Sequence, residues 1–196
     1  MIQYSNNKQH NISDFKEYLS IEGYSHSGLK SLKSGVSMPF NVTDKVKIGK
    51  IVDEILTGGT PDYSSEFYPT ARKIANKLHE RFGHVLSLMD NQVAFTATMQ
   101  LGGLEITGKG ILDKLLPKRL VLDLKITHEK DVMALCKYMG YENQVWHYAR
   151  LAQVSDGFLY VYSVKTGESR LIRVDVANLR NEFWEDAILM NGRAAV

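Results

Sequence analysis

Between residues 43 and 56 the apolar positions Val46, Ile48, Ile51, Val52, Ile55 and Leu56 return mostly every three or four residues, and Gly58 follows them. That spacing places them on one face of a helix, with the glycine as its stop. A second helix is predicted over 70–82 and a shorter one over 25–34, so the first part of the chain is expected to be mostly helical. At Gln92 the pattern changes. Val93 and Phe95 open a β-favouring run that ends at Gly102-Gly103, a dipeptide suited to a two-residue hairpin turn. A second strand should follow over 104–115, with Pro117-Lys118 turning the chain into a third, Leu120–Thr127. In that third strand Leu120, Leu122, Leu124 and Ile126 share one face, and Val121, Asp123, Lys125 and Thr127 share the other.

Beyond it the sequence predicts a helix over 141–153, a strand pair over 157–164 and 169–174 around Lys165-Thr166-Gly167, and a closing helix over 176–190. The expected architecture is mixed α/β, with one central mixed sheet flanked by helices. With 196 residues the chain suits a single domain: an N-terminal helical or extended segment (1–42), a core (43–175) and a C-terminal helix (176–196).

Composition narrows the chemistry. Hydrophobic residues at 44% and charged ones at 23% exclude disordered, collagenous and disulfide-scaffold classes. The net charge of +2 means that any nucleic-acid site must be local. Cys136 is the single cysteine, so it has no partner for an intrachain disulfide or a multi-Cys metal site, and a buried small hydrophobe is its expected role. The polar start from Met1 to Asp14 lacks the apolar core of a signal peptide, and no stretch is apolar enough to span a membrane, so a cytoplasmic location is expected.

The candidate chemistry lies on the predicted strands. Gly110-Ile111-Leu112-Asp113 ends one of them, and Asp123-Leu124-Lys125 lies on the next. Strands paired across the Pro117 turn would bring Asp113 and Asp123 within ligand distance of a common cation, with Lys125 beside it. Metal-assisted phosphodiester hydrolysis needs such a set: carboxylates hold Mg²⁺ or Mn²⁺, and a cationic group attends the attacking water.

The ordered motifs Gly110-x-x-Asp113, Asp123-x-Lys125 and Gln144-x-x-x-Tyr148 resemble the PD-(D/E)XK nucleases, and the last of them resembles the RecB-like branch with its RecE-type phage exonucleases. The resemblance spans about residues 49–148 and implies a restriction-endonuclease-like core. It implies that Asp113 and Asp123 bind metal, that Lys125 is the catalytic lysine, and that the Leu124 carbonyl is a further metal ligand. It implies that Gln144 and Tyr148, one turn apart on a helix, contact DNA or brace the site. The family often carries a metal-binding His or acid in a Gly-x-x-x-His pattern. Gly49-Lys50-Ile51-Val52-Asp53 puts Asp53 at that position, with Glu54 as the alternative. The chain departs from the family's Asp-x-Lys-Thr, because Ile126 follows Lys125 and Thr127 comes one place later. Upstream, Tyr24-Ser25-His26-Ser27-Gly28-Leu29-Lys30 resembles the N-terminal region of the RecE-type enzymes.

The function these features imply is a Mg²⁺- or Mn²⁺-dependent DNA exonuclease of recombination, repair or phage DNA processing. Its partner is DNA, with a homo-oligomer or a recombination protein as a further expectation. The alternatives are a non-catalytic DNA-binding or scaffold protein on the same fold, and a sequence-specific endonuclease, for which the chain offers no recognition domain. Two decoys fall away. Gly103 to Lys109 matches most of a P-loop, but Gly110 stands where the motif needs Ser or Thr, and Pro117 leaves no room for a long helix. His79 and His84 are five apart, which turns them to different faces of a helix and excludes a zinc-protease pair.

Overall fold

In chain order the elements are β1 (Gln3–His10), α1 (Phe15–Ser20), α2 (His26–Ser34), α3 (Asp44–Thr57), α4 (Tyr68–Phe82), α5 (His84–Ser87), β2 (Asp90–Leu101), β3 (Leu104–Leu116), β4 (Leu120–Thr127), α6 (Val132–Met139), α7 (Tyr141–Leu151), β5 (Asp156–Ser163), β6 (Ser169–Val174) and α8 (Glu182–Asn191). The coordinates are a computed structural model and describe residues 1–12, 14–34, 43–178 and 181–191. The strands form one six-stranded sheet in sequential order. All neighbours are antiparallel except β4 and β5, which run parallel because the α6–α7 segment carries the chain back across the sheet. Among the described residues no helix is long and apolar enough to cross a membrane.

The period-2 pattern of β4 works on both faces. Leu122, with Leu120, Leu124 and Ile126 beside it, packs under Ile48, Ile51 and Val52 of α3 and Ile74 and Leu78 of α4. Val121 faces the opposite core, built on Val145, Ala149 and Leu151 of α7 and Trp184 and Ile188 of α8. Each fully buried aliphatic side chain contributes about 1.5–3 kcal/mol relative to exposure, so this double covering fixes the register of the strand that carries Asp123 and Lys125.

Several expectations need correction. The N-terminal part is mostly helical as expected, with α1 to α5 ahead of β2, but it also contributes a strand that the pattern does not show: β1 pairs antiparallel with β2 and adds a fourth strand beside β2–β4. Its polar sequence hides it, since an edge strand needs only scattered apolar anchors: Ile2 just before it is buried, and Tyr4 lies edge-on to Trp146 and donates to His147 Nδ1 at 2.8 Å. The closing helix begins at Glu182 rather than at 176, because an Asx turn from Asp175 to Asn178 breaks the chain first and Asn181 then caps α8 through Trp184 N. The short helices α1, α5 and α6 add to the expected elements, each too brief to show a period in the sequence. Residues 35–42 of the expected N-terminal segment, 179–180 of the expected closing helix and 192–196 lie outside the described residues. The P-loop-like run forms the hairpin and β3: Leu101 pairs with Leu104 across Gly102 and Gly103, both at positive φ. Its Lys109 donates to the Ile21 carbonyl at 2.6 Å, tying the α1–α2 connection to the sheet.

Gly110 has a steric reason. A Cβ there would stand 2.6 Å from Tyr148 Cε1, so only glycine lets the Gln144–Tyr148 face of α7 lie flat on β3. Gly110→Ala is expected to cost about 1–3 kcal/mol, because a fully packed ring must shift. A urea unfolding midpoint equal to the parent's would show that the ring has slack.

Candidate active site

The predicted carboxylates arrive from three elements. Asp53 lies on the last turns of α3, whose buried Ile48, Ile51 and Val52 set its rotation over the sheet. Gly58 in the left-handed conformation closes that helix by donating to Glu54 and Ile55 carbonyls. Glu54, the alternative ligand, turns toward Lys50 of its own helix at 3.9 Å. Asp113 lies on β3, and Asp123 and Lys125 on β4.

The β3–β4 ladder runs from Leu116↔Leu120 to Lys114↔Leu122. One step further the register sets Asp113 against Asp123, and there the backbone pairing stops. The Asp113 side chain takes over the ladder's role, its Oδ2 accepting from Leu124 N at 2.9 Å. The strands therefore part where their two carboxylates meet. Leu124, expected to offer its carbonyl to a metal, is seen here to offer its N–H to Asp113.

Gln92 stands across from Asp113 on β2, between the paired positions Asn91↔Lys114 and Val93↔Leu112. Its Nε2 donates to Asp53 Oδ2 at 3.1 Å and to Asp113 Oδ1 at 3.4 Å. Lys114, almost wholly buried, places its ammonium 3.5 Å from Asp53 Oδ1 and donates to Asn91 Oδ1. Lys125 Nζ is 2.6 Å from Asp123 Oδ2 and sits 5.4 Å from the centre of the Tyr141 ring. No motif or local period marks Gln92, Asn91 or Lys114; only the strand register and the Asp53 side chain of α3 bring them to the site.

The electrostatics follow from crowding acids in a half-closed site. Burial raises Asp53 to about 6, the neighbouring Asp113 charge adds to this, and Lys114 and Gln92 pull against it. Burial also raises Asp123, with Lys125 opposing and Asp113 reinforcing the shift. For Lys125 burial works against the charge, but the Asp123 and Asp113 carboxylates outweigh it and leave its pKa raised. Lys125 is thus a standing cation. His26, at the start of α2, is lowered to about 4 by burial, with the Lys125 and Lys30 charges adding to the effect.

The donor set fits a hard divalent cation. Asp53 Oδ1 and Asp123 Oδ2 are buried and lack a well-directed hydrogen bond, although each faces an ammonium. Carboxylate oxygens with unused lone pairs, held near one another at an electrostatic cost, are what Mg²⁺ or Mn²⁺ would relieve. Among the described residues no three His, Cys, Asp or Glu side chains are grouped closely enough to hold a metal ion as they stand. Gln92, Lys114 and Lys125 interleave the acids instead.

Gln144 and Tyr148 lie on the buried face of α7, where Gln144 Nε2 donates to Tyr148 Oη at 2.7 Å. Each is more than 90% buried, and the Tyr148 ring rests on Gly110. Burial pushes the Tyr148 hydroxyl far up, and the Asp123 charge reinforces this. The Tyr148 ring thus packs against β3 at Gly110, three residues before Asp113.

No protein-family model matches the chain, and no curated protein matches it in sequence. Among solved structures, the protein SSO0001 aligns over 91% of this chain and 87% of its own, at 16% identity and a TM-score of 0.44. A candidate exonuclease from Eubacterium rectale aligns over 86% of this chain and 70% of its own, at 18% identity and a TM-score of 0.54. That likeness establishes the fold: the chain has the mixed α/β architecture, a mixed sheet flanked by helices, of this nuclease-like neighbour.

Proposed function

We propose that the protein is a Mg²⁺- or Mn²⁺-dependent deoxyribonuclease that degrades DNA from its ends. The observation that carries this reading is the convergence of Asp53, Asp113 and Asp123 at the point where β3 and β4 part, with Lys125 paired to Asp123. The fold neighbour from Eubacterium rectale, itself described as a candidate exonuclease, supports it. Asp53, Asp113, Asp123 and the Leu124 carbonyl would hold the metal, which supplies charge for the scissile phosphate and lowers the pKa of a bound water. Lys125 keeps its proton, so its part is that of a cationic donor that holds the attacking water or a phosphate oxygen, not that of a base. Hydrolysis adds the water oxygen to phosphorus and breaks the bond to the leaving sugar oxygen, which takes up a proton. Gln144 and Tyr148 keep the β3 carboxylate in place and lie beside the path of the DNA.

End-labelled linear duplex and closed circular DNA, digested with Mg²⁺, Mn²⁺ or EDTA and with Asp123→Asn as control, test the reading. Metal-dependent loss of the linear substrate alone is the expected result. Cleavage of the circle would make the protein an endonuclease. Binding of DNA with neither substrate cut would leave a non-catalytic DNA-binding protein on the same fold.

A further inference from the structure

The acids of the site come from a helix and two strands that do not touch through their backbones at that point, so something must hold Asp53 and Asp113 in one set. The side chain between them is Gln92. It lies across from Asp113 between the paired positions Asn91↔Lys114 and Val93↔Leu112, its Nε2 is 3.1 Å from Asp53 Oδ2 and 3.4 Å from Asp113 Oδ1, and its backbone takes the left-handed conformation at φ 51°. A non-glycine residue pays strain for that conformation, and such strain persists where the surroundings over-determine it. On the other side of Asp53, Lys114 is held in turn by Asn91, the residue before Gln92. Both oxygens of Asp53 are thereby addressed from the β2–β3 ladder.

We propose that Gln92 is a positioning residue for the cation site: its carboxamide bridges Asp53 of the helix and Asp113 of the strand and keeps the two carboxylates turned toward one another. The inference rests on the nuclease reading above. An amide N–H donated to each acid offsets their mutual repulsion without adding a competing charge, and releases them to a cation at the cost of two exposed hydrogen bonds. Outer contacts of this kind set metal affinity by about 10- to 100-fold.

The test is Mn²⁺ binding to the full chain, followed by the electron paramagnetic resonance signal of free Mn²⁺, with thermal unfolding in EDTA beside it. Gln92→Leu keeps the bulk and removes the donor, while Gln92→Gly removes the donor and relieves the backbone. Both variants are expected to bind Mn²⁺ at least about tenfold more weakly, while Gln92→Gly unfolds at or above the parent's temperature. A residue that served only the fold would lower the unfolding temperature and leave Mn²⁺ binding unmoved. Parent-like Mn²⁺ affinity in Gln92→Gly would overturn the inference, and so would tighter binding, which would make Gln92 a competitor of the cation. A parent that takes up no Mn²⁺ would overturn the nuclease reading itself, a failure distinct from loss of the Gln92 effect in a parent that binds.

Discussion

Asp123→Asn and Lys125→Met are each expected to slow the digestion of linear duplex DNA in Mn²⁺ by about 10³-fold or more, equivalent to about 4 kcal/mol of lost transition-state stabilisation. The substitutions are chosen to separate chemistry from folding. Asp123 is buried, and its pKa is raised chiefly by that burial, so the neutral amide of Asn keeps the shape and removes a charge that is costly to hold there. Lys125→Met keeps most of the side-chain volume, and the Asp123 left behind can take up a proton rather than stay charged and unpaired. Urea unfolding in EDTA should therefore move by no more than about 1–2 kcal/mol in either variant. Full cleavage activity in both would sink the site assignment, and activity lost in step with stability would reduce the pair to a structural role.

How much of this site was legible beforehand depends on which residues are tied to a local period. Asp53 could be placed near the end of a helix because Ile48, Ile51 and Val52 mark its buried face, and Asp123 and Lys125 could be placed on one strand face because β4 alternates cleanly. The convergence of Asp113 with Asp123 followed from a hairpin turn at Pro117. Lys114 was a different matter. Strand alternation alone gives it an ordinary surface, yet it is buried, and α3, packed on the neighbouring β4, supplies Asp53 as its partner. Gln92 likewise belongs to the site through cross-strand register, which no spacing along the chain encodes. The edge strand β1 escaped for a related reason, since its anchors Tyr4 and Asn7 act through α7: Tyr4 reaches His147, and Asn7 caps the Arg150 and Leu151 carbonyls at 3.0 and 2.8 Å. Long-range partners, not local propensity, hold it.

The pH dependence of stability should carry two opposed signatures, and separating them tests whether Asp53 binds metal. His147 is wholly buried between the Tyr4 hydroxyl and the Trp184 ring, and burial lowers it to about 3; His26 is lowered to about 4. Both fold as neutral imidazoles. Their contribution is complete above the ordinary histidine pKa of about 6.5 and is lost as pH falls toward 4, so the parent in EDTA should lose several kcal/mol over that interval. Asp53 works the other way. Its folded pKa is raised to about 6, so the folded state binds more protons than the unfolded one between about 4 and 6, and its contribution is present at the acid end and lost as pH rises through 6. About 2 kcal/mol is expected, allowing for the part of the side chain that water reaches. Asp53→Asn removes only this second component, so it should gain stability relative to the parent as pH rises from 4.5 to 7.5. Excess Mn²⁺ at pH 7.5 should then reverse the ranking: at a hundred times its dissociation constant it adds about 2.7 kcal/mol to the parent, and much less to the variant. The Mn²⁺ gain should fade below pH 6, where protons hold the same carboxylates. Equal Mn²⁺ stabilisation of parent and Asp53→Asn would remove Asp53 from the ligand set and leave its pairing with Lys114 as a structural contact.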